Sequence, residues 1–368
     1  MGHIYFDWTS ASNWQGHPTG VARVISHTGL LLNSFENNIT HIALSDEKMF
    51  LHYEPYENIT TEEVSFSKSD LVVSFGANWD IDGYNKVIKN IKQKGVLYSC
   101  LIYDIIPLKY PYTYGPGFSS IYKSWLLDTI SIADHLFAIS ENTKTDVEEL
   151  MPSIKNYRCN LDVIRLGDEI EKVAKNNDVK SEILNLSPFI LTVGTIEYRK
   201  NHITLINAYR LLVSEGNMDL PALVIVGRPG WLDNSLAYQI ENDPSIHNLV
   251  HVYSDVSDDD LDYLYRNCLF TVYPSIYEGW GLPVAESLRY GKQCITSNSS
   301  SMLEIAPELT RFAHPLKVEE WARSIYELTN DPDMLARENS KVSESYLGTT
   351  WEQCANEILV SLKAIGSV

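Results

Sequence analysis

The feature that most constrains this chain is an alternation. Short runs of β-branched and aromatic residues are followed by segments whose apolar residues recur three or four apart. Strands and helices in that order bury their apolar faces only when the helices pack on a shared sheet, which means βαβ units and parallel strands. In the first half, His3 to Phe6, Leu71 to Phe75, Val96 to Tyr103 and His135 to Ile139 are the expected strands. Helices are expected at Val21 to Leu32, Tyr84 to Lys94 and Tyr122 to Ile132. The second half repeats the scheme, with strands at Phe189 to Val193, Ala222 to Val226, Leu249 to Tyr253, Leu269 to Val272 and Gln293 to Thr296. Its helices are expected at Ile203 to Ser214, Asp258 to Asn267, Pro283 to Tyr290 and Val318 to Thr329.

A chain of 368 residues exceeds what one core serves, and the charged, Asn-rich run from Gly167 to Pro188 divides it almost evenly. The expected domains are therefore residues 1–170 and 171–345. Neither half carries G-x-G-x-x-G after its first strand, which argues against a dinucleotide-dependent dehydrogenase. Open α/β sheets bind ligands beyond the carboxyl ends of their strands, so two Rossmann-like domains facing each other across a cleft place the chemistry there.

Charge narrows the partners. A formal net charge of -19 argues against a nucleic-acid binder, because phosphate-backbone affinity needs clustered Lys and Arg. Cys100, Cys159, Cys268, Cys294 and Cys354 are scattered without metal or redox spacing, as expected of buried thiols in a reducing compartment. The start of the chain does not read as a signal peptide, and no apolar run approaches 18 residues. A cytoplasmic protein is expected, with room for peripheral contact at the inner face of a membrane.

The most informative segment is Tyr273-Pro274-Ser275-Ile276-Tyr277-Glu278-Gly279-Trp280-Gly281-Leu282-Pro283-Val284-Ala285-Glu286. Pro283 suits the first position of a helix and Gly291 its stop. Gly279, Trp280, Gly281 and Leu282 then form a turn whose peptide N–H groups, with the helix N-terminus, can receive a phosphate. Glu278 and Glu286 flank that turn, and carboxylates accept paired hydrogen bonds from vicinal sugar hydroxyls. Two acids at a helix start are also favoured by the dipole alone.

This string resembles the retaining family 4 of glycosyltransferases, which have the two-domain GT-B fold and a Glu-x7-Glu motif. The resemblance implies that Glu286 holds the ribose of a nucleotide donor and that Glu278 contacts the transferred sugar. Leu191 to Asn201 is similar to the family's first nucleotide-domain strand and loop, which makes Lys200 the implied diphosphate cation. Many relatives place an Arg where this chain has Thr195, so Arg199 or Arg228 is expected to compensate at that donor loop. Val224 to Trp231 resembles the next glycine loop, and Val256 to Leu261 the segment against the nucleotide base. The acids Asp258, Asp259 and Asp260 already have a reading as an N-cap and first helical turn.

In the first half, Gly16 to Arg23 resembles a family loop that brings backbone N–H groups to donor phosphate and acceptor, with Gly20 the close-approach residue. Tyr103 takes the place of a family histidine that touches the donor sugar, and Asp104 either binds sugar hydroxyls or caps a turn. Thr350 to Ala355 resembles the closing helix, so 346–368 is expected to return to the first domain. Asp80-Ile81-Asp82 has the form of a metal-binding D-x-D without that other family's surroundings, and no metal or cofactor is expected. The implied partners are a nucleotide-sugar donor, GDP-mannose favoured, and a glycan or lipid-linked oligosaccharide acceptor in surface polysaccharide synthesis. A nucleotide-sugar-binding regulatory subunit of the same fold is the alternative.

Overall fold

Each half of the chain is built around one parallel sheet. The computed structural model describes residues 2–12, 20–52, 60–154, 159–170, 179–186, 188–230 and 235–365. One unit comprises Met1–Lys109, Pro116–Gly167 and Thr349–Val368, and the other comprises Tyr110–Gly115 and Asp168–Gly348.

The first sheet contains β1 (Ile4–Asp7), β2 (Ile39–Ser45), β3 (Lys48–Leu51), β4 (Leu71–Ser74), β5 (Leu97–Ile102), β6 (His135–Ala138) and β7 (Asn160–Val163). Their order is β3-β2-β1-β4-β5-β6-β7, parallel throughout except for the β2–β3 hairpin. At its tip Asp46 and Glu47 take φ values of 46° and 60°, which a two-residue turn between twisted strands requires.

The second sheet contains β8 (Phe189–Val193), β9 (Ala222–Val226), β10 (Val250–Tyr253), β11 (Thr271–Tyr273), β12 (Cys294–Ser297) and β13 (Thr310–Ala313). They run β10-β9-β8-β11-β12-β13, all parallel, which is the doubly wound order. Helices cover the sheet with narrow apolar stripes; Val318–Asn330, for example, buries Trp321, Ala322, Ile325 and Leu328. Winding reverses between β1 and β4 and between β8 and β11, so the carboxyl ends of those strands open as ligand positions in each unit. The strands β2, β3, β7 and β13 are additions to the sequence-based expectation, and Pro283 is the second helical residue of Leu282–Arg289 rather than the first.

Two glycines stand where the chain leaves the first unit and where it leaves the second. A Cβ on Gly167 would lie 2.4 Å from the Trp351 ring, and one on Gly348, at φ +61°, would lie 2.7 Å from Asp168 Oδ2. Trp351 opens the helix Trp351–Ile365 and stacks on His27 of the helix Val21–Phe35, with ring centroids 4.5 Å apart. All five cysteines are buried and free. No described helix is long and apolar enough to cross a membrane.

Candidate donor-binding site

The site grows from the loops that follow β8, β9 and β11 in the second unit. Backbone bonds join the first two loops: Gly194 N donates to Val226 O (2.9 Å), and Ile196 N donates to Arg228 O (2.8 Å). Gly227 is required there, since a Cβ would fall 1.9 Å from Gly194 O. Ile276 N donates to Arg199 O (2.9 Å), which joins the β8 and β11 loops. Asn201, in the left-handed region at φ 58°, donates to Pro274 O (3.0 Å) and Pro315 O (2.7 Å). Lys200 is thereby delivered to the Glu278 turn.

There Glu278 is buried and ion-paired on both oxygens, with Lys200 Nζ at 2.7 Å from Oε1 and Arg199 Nη1 at 2.6 Å from Oε2. Burial pushes the carboxyl up, but the two cations overcome it and hold the pKa down to about 2. Tyr273 completes the cluster: Lys200 Nζ donates to its hydroxyl (2.5 Å), which donates in turn to Glu278 Oε1 (2.9 Å). Burial and the adjacent carboxylate push the Tyr273 phenol well above its usual range, so it remains a donor. Arg199 is also bonded to Glu197 Oε1 (2.7 Å) and to Tyr277 O (2.9 Å).

The turn after Glu278 is braced by three serines. Ser300 Oγ accepts from Glu278 N (2.9 Å), Ser301 Oγ donates to Glu278 O (2.9 Å) and Trp280 O (2.6 Å), and Ser299 Oγ donates to Ile276 O (2.7 Å). Gly281, at φ 122°, turns the chain into the helix Leu282–Arg289, and neither its N–H nor that of Leu282 has an acceptor among the described residues. Two amides without an acceptor among the described residues, at a helix start, can receive an anion. One turn further, Glu286 is buried and accepts from Tyr265 OH (2.9 Å), and the Tyr265 ring stacks on Tyr290 at 5.1 Å.

Lys200, Arg199, Glu278, Gly279, Trp280, Gly281, Leu282 and Glu286 thus share one region of the second unit. Arg228 lies exposed on the joined β8 and β9 loops without an ion-pair partner among the described residues, whereas Arg199 is already committed to two carboxylates. Thr195 is exposed with its methyl beneath Gly230, and Val256 packs half-buried against the core below β8 and β9. The following acids do form a cap: Ser257 and Asp260 make a reciprocal capping box, and buried Asp260 also accepts from Lys180 N (2.9 Å).

The remaining candidates lie in the first unit. Gly20 caps the helix Val21–Phe35 at φ 54°, ψ −121°, a conformation suited to glycine; residues 13–19 lie outside the described residues, as does Trp231 of the second unit. Asp104 accepts from Ile106 N (2.8 Å) and so caps the short helix Ile106–Lys109, while Tyr103 OH donates to Phe75 O (2.7 Å). Asp80 and Asp82 are exposed around a 3-10 turn, Asn78–Asp80, and not at a strand end. Sequence reasoning missed Tyr273 and Ser299–Ser301 as site residues. The serine run directly after β12 was the available signal.

Residues 173–343 match the family model described as glycosyl transferases group 1. The O-antigen chain mannosyltransferase B of Escherichia coli is 30% identical over 177 residues, which is 48% of this chain and 46% of that protein. The serotype-specific mannosyltransferase WbdA of the same species is 30% identical over 239 residues, covering 63% of this chain and 29% of that protein. This chain therefore spans less than half the length of either relative. Among solved structures, a sucrose-phosphate synthase from Thermosynechococcus elongatus superposes with a TM-score of 0.70 at 15% identity, covering 100% of both chains. WaaG, a glycosyltransferase involved in lipopolysaccharide biosynthesis, gives 0.66 at 11% identity, covering 96% of this chain and 98% of that one. At such identities the likeness carries the fold, which is GT-B.

Proposed function

We propose that this chain, which through residues 173–343 belongs to the glycosyl transferases of group 1, moves a hexose from a nucleotide-diphosphate donor to a glycan or lipid-linked glycan. The observation that carries this reading is the buried Lys200–Glu278–Arg199 cluster together with the N–H groups of Gly281 and Leu282, which have no acceptor among the described residues. A diphosphate seated there meets lysine, Arg228 and peptide dipoles, which supply counter-charge as the bond from the anomeric carbon to phosphate breaks. The acceptor oxygen bonds to that carbon on the same face, and its proton passes to the departing phosphate oxygen. Configuration is retained, and no metal is required.

Glu286 is assigned to the ribose and Glu278 to the sugar, where its charge opposes the positive charge that develops on the ring. Mannose is favoured by the names of the two Escherichia coli relatives, and guanosine diphosphate is the carrier expected with it. Intact Lys200, Glu278 and Glu286 favour an enzyme over a subunit that only binds nucleotide sugars.

The test is a panel of nucleotide sugars followed by product analysis. GDP-mannose at a hundred times its dissociation constant should stabilise the protein by about 2.7 kcal/mol, with UDP-sugars weaker. Transfer should persist in excess EDTA and yield a retained linkage by NMR. An inverted linkage, or activity abolished by EDTA and restored by Mn²⁺, would overturn the mechanism.

A further inference from the structure

A line of tyrosines leaves the Glu278 cluster and ends in solvent. Tyr277, next to Glu278, bonds through its carbonyl to Arg199, and its ring meets Tyr110 at 5.2 Å. Tyr110 packs on Tyr112 at 6.1 Å and 72°, and Tyr112 on Tyr198 at 5.9 Å and 83°. Tyr198 immediately precedes Arg199 and Lys200. All four rings belong to the second unit, and the two outermost are largely exposed, Tyr112 at 59% and Tyr198 at 49%.

Edge-to-face packing fixes each ring against its neighbour, and Tyr112 and Tyr198 nevertheless keep about half or more of their surface in solvent. A rigid ring with a polar edge suits a ligand that is itself amphipathic. A hexopyranose is such a ligand, because one face presents polarised C–H bonds to the negative π-cloud while the ring edge carries hydroxyls.

We propose that Tyr112 and Tyr198 form a stacking platform for the acceptor, a chain of hexopyranoses whose reactive end lies toward Glu278. The proposal rests on the donor-site assignment above, and it adds where the growing glycan is held. Two rings in series accommodate a chain and not a single sugar, so affinity should rise with acceptor length.

The experiment titrates mannotetraose and, separately, GDP into the full chain and into its Tyr112→Ala, Tyr198→Ala and Tyr112→Phe variants. Each alanine variant should lose about three- to tenfold in mannotetraose affinity, and the phenylalanine variant should keep it, because the ring face does the binding. The KM for acceptor should rise in the alanine variants without a fall in kcat, and GDP affinity should not move. Mannotetraose binding that is absent from the unaltered chain, or equal in the alanine variants, would overturn the platform even with GDP bound normally. So would a dimer that Tyr112→Ala converts to monomer, since a second copy would then cover the rings. Failure of GDP to bind the unaltered chain would instead strike the donor-site assignment, leaving mannotetraose to decide the platform.

Discussion

The two sheets share a winding but arm the strand ends beside their points of reversal differently. At the end of β1, Asp7 is buried among neutral donors: Thr9 N (3.0 Å), Ser74 Oγ (2.9 Å) and Tyr84 OH (2.5 Å), together with the Thr9 hydroxyl. Just past β11, Glu278 is buried between two cations. A carboxylate held by hydroxyls is satisfied where it is and has no counter-charge to exchange. A carboxylate held by Lys200 and Arg199 is satisfied by counter-charge, and under the proposed function those are the cations that a diphosphate would re-partner. The first unit's carboxylate ties β1, β4 and the helix Tyr84–Lys92 together.

Neutralising each carboxylate separates the two roles, and the largest effect belongs to Glu278. Glu278→Gln should lower kcat on the order of a hundred- to a thousandfold, the scale of losing one preorganised group in a transition state. GDP affinity by calorimetry should hold or strengthen, because Lys200 and Arg199 lose their internal anion. Asp7→Asn should instead cost about 1–3 kcal/mol in urea unfolding and leave GDP affinity unchanged. If Asp7→Asn weakened GDP and Glu278→Gln spared turnover, the contrast between the sheets would be broken.

Glu286 sharpens the contrast within the second unit. If Glu286 holds the ribose as proposed, its hydrogen bonds are equal in ground and transition state, so Glu286→Ala should raise KM with little change in kcat. Charge-assisted bonds of roughly 1.5–3 kcal/mol imply a loss on the order of ten- to a hundredfold in GDP affinity. Equal, small effects of the Glu278 and Glu286 substitutions on both constants would leave two acids that serve only a helix start.

What was legible in the sequence follows burial. β8 and β9 are near-continuous apolar runs, buried on both faces, and their ends were read to the residue. The edge strands β7 and β13, reading Asn-Leu-Asp-Val and Thr-Arg-Phe-Ala, each bury a single residue and so lack that pattern. β2, reading Ile-Thr-His-Ile-Ala-Leu-Ser, mixes buried His41 into an apolar face and escaped for the same reason. At the site, the glycine turn and its acids announced themselves by spacing. The serine brace and Tyr273 did not, because their roles come from contacts between loops distant in sequence. Nor does spacing tell that Arg199 is paired with Glu197 and Glu278 while Arg228 has no ion-pair partner among the described residues.

The smallest expected effect concerns acid stability, and it again compares the units. Burial and the Lys200 charge hold His202 of the second unit neutral, with its pKa lowered to about 3. In the first unit burial and Arg23 lower His27 to about 4. A histidine that stays neutral when folded but takes up a proton near pH 6.5 when unfolded is fully compatible with the fold above that pH. Its contribution is then lost as pH falls toward the folded value, at about 1.4 kcal/mol per pH unit for a fully buried group. Glu278, lowered to about 2, acts only below the ordinary carboxylate pKa of 4.5, so between pH 6.5 and 4.5 the histidines act without it. His202 is buried with Nδ1 lacking a partner among the described residues, so a non-titrating side chain there sacrifices no bond at that atom. In urea unfolding at pH 7 and pH 5, His202→Gln should therefore lose about 2 kcal/mol less than the unaltered chain between the two pH values. Hydrogen exchange should assign that gain to the second unit, with His27→Gln giving a gain of similar size confined to the first. Parallel stability curves for His202→Gln and the unaltered chain would mean that His202 is already protonated in the folded state, and that the second unit keeps no neutral histidine beside its cations.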